Sequence, residues 1–148
     1  MLHCRSLLLA FWSMIIGCTS DQDQQADATS LFEQAEAEFQ DGKFHLSAMT
    51  FTKCIEAARQ TGIEVHFSVY GLRGLSNYKI GATQQAMHDT TTALSVIDKK
   101  KEPRDVVARL YYQRAIIYRD IKDDKSASAD FSNARKYDAD GLFDPRHL

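Results

Sequence analysis

The sequence predicts an all-α protein whose helices pair into about three hairpins and stack into a short α-solenoid. Three observations lead to this fold class. From Leu31 onward, apolar residues recur at three- and four-residue spacing, which is the period of an amphipathic helix. The chain of 148 residues has only two prolines and seven glycines, which favours long helices over many-turned β-structure. The segment from Tyr70 to Leu94 is also repeated 41 residues later, from Tyr111 to Arg135.

Six helices follow from the places where the helical period is interrupted. Gly42, Gly62 and Gly81 separate the segments of the first half, and Pro103 stands near the start of a later helix, where proline is tolerated. No segment alternates apolar and polar residues over a useful strand length. The predicted helices cover residues 29–41, 44–60, 64–79, 83–98, 105–121 and 124–138.

Small and aromatic residues carry the internal repeat. Eight pairs align at a shift of 41 residues: Tyr70 with Tyr111, Arg73 with Arg114, Gly74 with Ala115, Leu75 with Ile116, Ile80 with Ile121, Ala86 with Ala127, Asp89 with Asp130 and Ala93 with Ala134. A weaker first copy, shifted by 39 residues, contains Leu31, Ala35, Phe39, Ser47, Phe51 and Cys54. We interpret the small residues as close helix crossings, where a larger side chain would separate the backbones.

This pattern resembles the tetratricopeptide repeat, which implies that the α-solenoid is right-handed. The third copy has the family's small and aromatic residues at every place: Tyr111, Ala115, Tyr118, Ala127, Phe131 and Ala134. The second copy departs at Asn77 and Thr90, where the family prefers large residues, and the first has Glu38 in place of an aromatic residue. The copies are 39 and 41 residues apart, against about 34 in the family, so we expect extended helices or turns. Cys54 is interpreted as a small buried apolar residue.

The N-terminus predicts a targeting segment. A short basic region ending at Arg5 is followed by the mostly apolar run Ser6–Ile16, which is too short for a membrane-spanning helix. The run ends in Ile15-Ile16-Gly17-Cys18, which resembles the bacterial lipoprotein box. An ordinary cleaved signal peptide and an uncleaved anchor remain alternatives.

The lipoprotein resemblance implies a domain order and a location. Residues 1–17 would be a cleaved signal peptide, Cys18 would be the lipid-attachment site, and 18–28 would form a polar tether. The repeat domain would cover 29–140, followed by a tail at 141–148. Because the last hairpin of a solenoid needs a cover, we expect Leu142 and Phe143 to fold back onto it as a partial lid after the turn at Gly141. Because Thr19 is not the aspartate that often marks inner-membrane retention, the outer membrane facing the periplasm is the expected location.

The tetratricopeptide resemblance implies a concave groove lined by the first helix of each hairpin. The partner-binding residues expected there are Phe32, Glu36, Phe39, Leu72, Leu75, Tyr78, Lys79, Tyr112, Ile116 and Arg119. The expected partner is an envelope protein or a peptide segment. The chaperone-binding subclass, which reads a C-terminal carboxylate with lysine and asparagine, is disfavoured because those places hold Phe32, Glu36, Gly71, Leu75, Tyr112 and Ile116.

Catalysis and nucleic-acid binding are not predicted. The formal net charge is −2, so no broad basic face is expected. His45, His66 and His88 have no second histidine or cysteine at helical ligand spacing, and no GxSxG, phosphate loop or HExxH motif occurs. We therefore predict no catalytic residue, no metal and no cofactor.

Two function classes stay open. One is a membrane-anchored adaptor or scaffold of the cell envelope. The other is a structural or assembly subunit of an outer-membrane or secretion complex, whose groove is permanently occupied or which self-associates.

Overall fold

The computed structural model describes residues 21–138 together with 140 and 141, and for 21–26 it describes the backbone. This part of the chain is all-α and contains no strand. Its helices are α1 (Asp21–Gln40), α2 (Phe44–Gln60), α3 (Phe67–Lys79), α4 (Thr83–Val96), α5 (Arg104–Asp120) and α6 (Asp124–Tyr137). The predicted signal peptide, Cys18 and the tail residues 142–148 lie outside the described residues.

The helix boundaries match the sequence prediction closely, except at the two helix starts described next. α1 begins at Asp21 and so includes most of the segment that the sequence analysis assigned to a tether. Acidic residues in the first turn and helix-favouring glutamines and alanines explain this earlier start. Ala28, at the end of this added segment, is packed against the fold: it is buried, and the thiol of Cys54 donates to its carbonyl oxygen at 3.2 Å. α3 begins at Phe67 rather than 64, after an extended N-cap at His66.

The helices form three hairpins, α1–α2, α3–α4 and α5–α6, stacked in chain order. Neighbouring hairpins meet through α2 against α3 and α4 against α5. The first helices also touch, α1 with α3 and α3 with α5, so they lie side by side on one face. The predicted all-α solenoid of helix hairpins is confirmed.

The small residues of the repeat stand where helices cross. Ala35, Ala93 and Ala115 have no exposed surface. A Cβ atom added to Gly74 would lie 3.0 Å from Thr90 Oγ1, closer than ordinary van der Waals contact allows. The apolar core between these crossings contains Phe51, Ile55, Phe67, Tyr70, Leu94, Ile97, Val107 and Leu110. The contact at Gly74 confirms a close crossing there, and the complete burial of the alanines agrees with the same interpretation.

The turn inside each hairpin needs a left-handed backbone residue. Gly42 and Gly81 supply it in the first two hairpins, with φ of 74° and 80°. In the third hairpin the equivalent residue is Lys122, with φ of 65°. Only glycine adopts this conformation without a steric cost from Cβ.

Lys122→Gly is therefore expected to stabilise the protein, by up to about 1 kcal/mol in the free energy of unfolding. Ala129→Gly is the matched control, because Ala129 is exposed within α6 and glycine there should cost about 1 kcal/mol. Urea denaturation measures both changes. A Lys122→Gly variant destabilised as much as the control would show that this turn carries no backbone strain.

Candidate functional site

A groove runs along the face formed by the first helices of the three hairpins. α3 forms its floor between α1 and α5, and its volume is about 460 Å³. Its lining residues are Glu36, Phe39, Gln40, Phe67, Ser68, Gly71, Leu72, Leu75, Val106, Arg109, Leu110 and Gln113. We call this surface the groove.

The groove is shaped by a close approach of α3 and α5. A Cβ atom on Gly71 would lie 2.9 Å from Leu110 Cδ2, so only glycine fits this contact without a shift of the neighbour. The buried side chain of Gln113 fixes the arrangement, because its Nε2 donates to the Gly71 carbonyl oxygen at 3.1 Å and to Thr90 Oγ1 at 3.0 Å. One amide thus joins α3, α4 and α5, and the groove is held in place by buried hydrogen bonds.

Four of the ten predicted groove residues line the groove. Glu36 and Phe39 stand on the α1 wall, and Leu72 and Leu75 on α3. The other six are not among the lining residues: Phe32, Tyr78, Lys79, Tyr112, Ile116 and Arg119.

The structure places these six in other surroundings. The rings of Phe32 and Phe51 meet edge to face with centroids 5.9 Å apart. Tyr112 meets Phe131 in the same way at 5.1 Å, and Ile116 is half-buried. Lys79 is exposed, beyond the α3 residues that line the groove.

The remaining two predicted residues meet at Asp120. The Tyr78 hydroxyl donates to Asp120 Oδ2 at 2.7 Å, and Arg119 Nε lies 3.9 Å from Asp120 Oδ1. Partial burial, with this hydrogen bond to a carboxylate, raises the pKa of the Tyr78 phenol. Tyr78 therefore bridges α3 and the end of α5.

The residues that sequence reasoning missed lie earlier along their helices. On α5 the groove is lined by Val106, Arg109, Leu110 and Gln113, whereas the residues predicted from the sequence lie between Tyr112 and Arg119. Phe67 and Gly71 precede Leu75 at four-residue steps on α3. Both runs follow helical spacing, so extending the pattern towards each helix start could have found them.

The groove carries two opposite charges on an otherwise uncharged lining. Glu36 on the α1 wall and Arg109 on the α5 wall are both exposed. Phe39, Leu72 and Val106 give it accessible apolar surface, since each is only partly buried. Such a surface suits a segment that buries apolar side chains between two polar rims.

Two buried ion pairs sit inside the second and third hairpins at equivalent positions. Arg73 Nη2 donates to Asp89 Oδ1 at 2.6 Å and Arg73 Nε to Asp89 Oδ2 at 2.9 Å. Arg114 Nε donates to Asp130 Oδ2 at 2.6 Å, and its Nη2 to Oδ1 at 3.0 Å. The hydrogen bond to Asp130 is the main cause that raises the pKa of the Arg114 guanidinium. Both pairs are bidentate and join the two helices of one hairpin, so each holds its hairpin together.

Potential metal ligands and the Cys54 thiol occur in the part of the chain that the structure describes. Among the described residues, no three His, Cys, Asp or Glu side chains come together in a group that could hold a metal ion. Burial raises the pKa of the Cys54 thiol, with a smaller contribution from Asp27, which disfavours the reactive thiolate. None of the six described helices is both long enough and apolar enough to cross a bilayer.

Comparison with known proteins identifies the fold. No protein-family profile and no curated protein sequence matches the chain. Among solved structures, it is similar to the second tetratricopeptide domain of Spaghetti (RPAP3), solved with the HSP90 peptide SRMEEVD bound. The TM-score is 0.62 at 19% identity, and the match covers 77% of this chain and 94% of that one. At this identity the likeness defines the class of fold, a tetratricopeptide-like helical solenoid.

Proposed function

We propose that this protein is an interaction adaptor that binds a polypeptide segment in the groove, and that it acts in the bacterial cell envelope. The observation that carries the proposal is the groove itself, formed by the first helices of all three hairpins and fixed by Gln113. The Spaghetti domain of similar fold was solved with a peptide bound, which supports a polypeptide ligand here.

The chemistry of the groove favours an apolar segment over an acidic peptide. The HSP90 peptide in the related structure ends in Glu-Glu-Val-Asp. The groove of this protein has Arg109 as its one cationic lining residue, offset by Glu36. A segment that places apolar side chains against Phe39, Leu72 and Val106 uses this surface better than a cluster of carboxylates.

Reversing the two charges tests the groove as the binding surface. In a pull-down from solubilised envelope, the Glu36→Arg/Arg109→Glu variant is expected to lose the partner that the parent captures, because both exposed residues stand on the groove walls. The control is Lys53→Glu/Glu56→Arg, which reverses two exposed charges on α2, outside the groove. If the groove variant retains the same partner at the parent level, the groove is not the binding surface.

The adaptor function includes a membrane anchor at Cys18, which rests on the sequence Ile15-Ile16-Gly17-Cys18. Two or more acyl chains hold a protein stably on a membrane, whereas one chain binds reversibly. The fold follows this cysteine after two residues, since α1 begins at Asp21. The groove would then operate close to the membrane surface.

Cys18→Ala is expected to abolish incorporation of a clickable palmitate analogue and to leave the protein unprocessed or released from the membrane. Metabolic labelling followed by fractionation measures both. Cys54→Ala is the matched control and should label like the parent, because Cys54 is buried. Label that persists in the Cys18→Ala protein would contradict the anchor.

A further inference from the structure

A second depression lies on another face of the solenoid, between α2 and α4. Its volume is about 600 Å³, and its rim includes Met49 of α2 and Ile80 of the α3–α4 turn. Both rim residues are well exposed, at 49% and 42%. Arg73, Asn77 and Asp89 form its inner part, with Asp89 almost completely buried. We call this depression the α2–α4 cleft.

The third repeat shows which side chain occupies the equivalent place. At the 41-residue shift, Tyr118 aligns with Asn77 beside the equivalent ion pair of Arg114 and Asp130. The Arg114 guanidinium carbon lies 5.8 Å from the Tyr118 ring centroid, within the range of a cation–π contact. The third repeat therefore carries an aromatic ring against its own arginine.

In the second repeat Asn77 stands at the position of Tyr118, so this position places no aromatic ring against Arg73. The Asn77 side chain is shorter than tyrosine and turns towards the ion pair, where Nδ2 donates to Asp89 Oδ2 at 3.0 Å. The edge of the Arg73 guanidinium is also engaged, since Nε and Nη2 donate to Asp89 and Nη1 donates to Thr52 Oγ1 at 3.2 Å. With these donors used in the plane, the flat face of the guanidinium is the part suited to a further contact.

We propose that the α2–α4 cleft binds the aromatic side chain of a tyrosine or phenylalanine presented by a partner polypeptide. The negative face of the ring complements the Arg73 guanidinium, as Tyr118 complements Arg114 within the chain. The Met49 thioether at the rim adds a favourable sulfur–aromatic contact.

The exposed apolar residues around the cleft favour a polypeptide over a free small molecule. Leu46 lies one helical turn before Met49 on α2 and is 45% exposed. A polypeptide crossing this face would cover Leu46, Met49 and Ile80 while its ring fills the cleft, whereas a free ring would leave Leu46 uncovered. The cleft and the groove share α3 but no lining residue, so this inference stands independently of the groove.

Ring-current shifts provide a direct test. The full-length protein, held in lipid nanodiscs with carbon-13 in its methionine and isoleucine methyl groups, is titrated with blocked Gly-Gly-Tyr-Gly-Gly. The Met49 and Ile80 methyl signals should move upfield with this peptide and stay in place with the version that has leucine at the centre. Asn77→Tyr, which supplies the ring within the chain, should weaken the response roughly tenfold or more.

Tyr118→Asn is the converse variant and should create a second responsive site. Its reporter is Ile121, which aligns with Ile80 and is 52% exposed. Equal shifts with the leucine peptide, or an unchanged response in a folded Asn77→Tyr variant, would overturn the proposal. If Asn77→Tyr does not fold, Tyr118→Asn decides: a new response at Ile121 supports the cleft, and no response overturns it.

Discussion

Arg114→Met is expected to lower the free energy of unfolding by about 3–5 kcal/mol. The substitution removes both hydrogen-bond donors from Asp130, which is only 4% exposed. A buried carboxylate without its cation costs its full desolvation energy. It also removes the cation that lies between the rings of Tyr111 and Tyr118, at 6.0 and 5.8 Å. Domains of this size have a free energy of unfolding of only about 5–15 kcal/mol. The substitution should therefore remove a large part of the stability, which urea denaturation measures.

Two further variants separate the effect of the buried charge from simple loss of a side chain. Arg114→Met/Asp130→Leu should recover much of the stability, because no unpaired charge stays buried. Lys43→Met removes the cation of the exposed pair with Asp41 and should leave the denaturation midpoint unchanged. If Arg114→Met shifted the midpoint as little as Lys43→Met, the buried pair would not be what holds α5 to α6.

Ala115→Trp is expected to destabilise the protein by about 1–3 kcal/mol or more. Ala115 has no exposed surface and lies at the crossing of the third hairpin, so an indole there must push α5 and α6 apart. Thermal melting followed by circular dichroism measures the effect.

Ala129→Trp is the matched control, because Ala129 is exposed on α6. Surface substitutions usually change stability by no more than about 0.5 kcal/mol. Equal melting temperatures for the two tryptophan variants would show that Ala115 does not occupy a close helix crossing.

Much of the fold is predictable from this sequence because local signals agree with one another. Helical spacing gives the six helices, and Gly42, Gly62 and Gly81 mark the connections in the first half of the repeat domain. The alignment of Gly74 with Ala115 marks positions that the structure shows to be close crossings. The start of α1 at Asp21 was harder to predict, because polarity alone does not distinguish an exposed helical turn from a tether.

Only part of the groove lining could be predicted from the sequence, because the lining depends on how far each helix is shifted along its neighbours. Leu72 and Leu75 belong to the central helix, whose place in the groove follows from topology alone. On α5 the lining begins at Val106, which reflects the packing of α5 against α3 at Gly71 and Leu110. The sequence aligns Arg73 with Arg114 and Asp89 with Asp130, but it does not show that each arginine pairs with an aspartate. Sequence spacing does not say which side chains meet across a hairpin.

Photo-crosslinking from single positions tests most directly whether a partner occupies the groove. A benzophenone side chain at 72 or 106, introduced into the full-length protein in its native cells, should form one adduct with a polypeptide. The adduct should be absent from position 53 or 56, and it should disappear when Gly71→Leu fills the groove floor. Adducts of the same size from all four positions, or adducts unchanged by Gly71→Leu in a folded protein, would contradict a polypeptide bound in the groove.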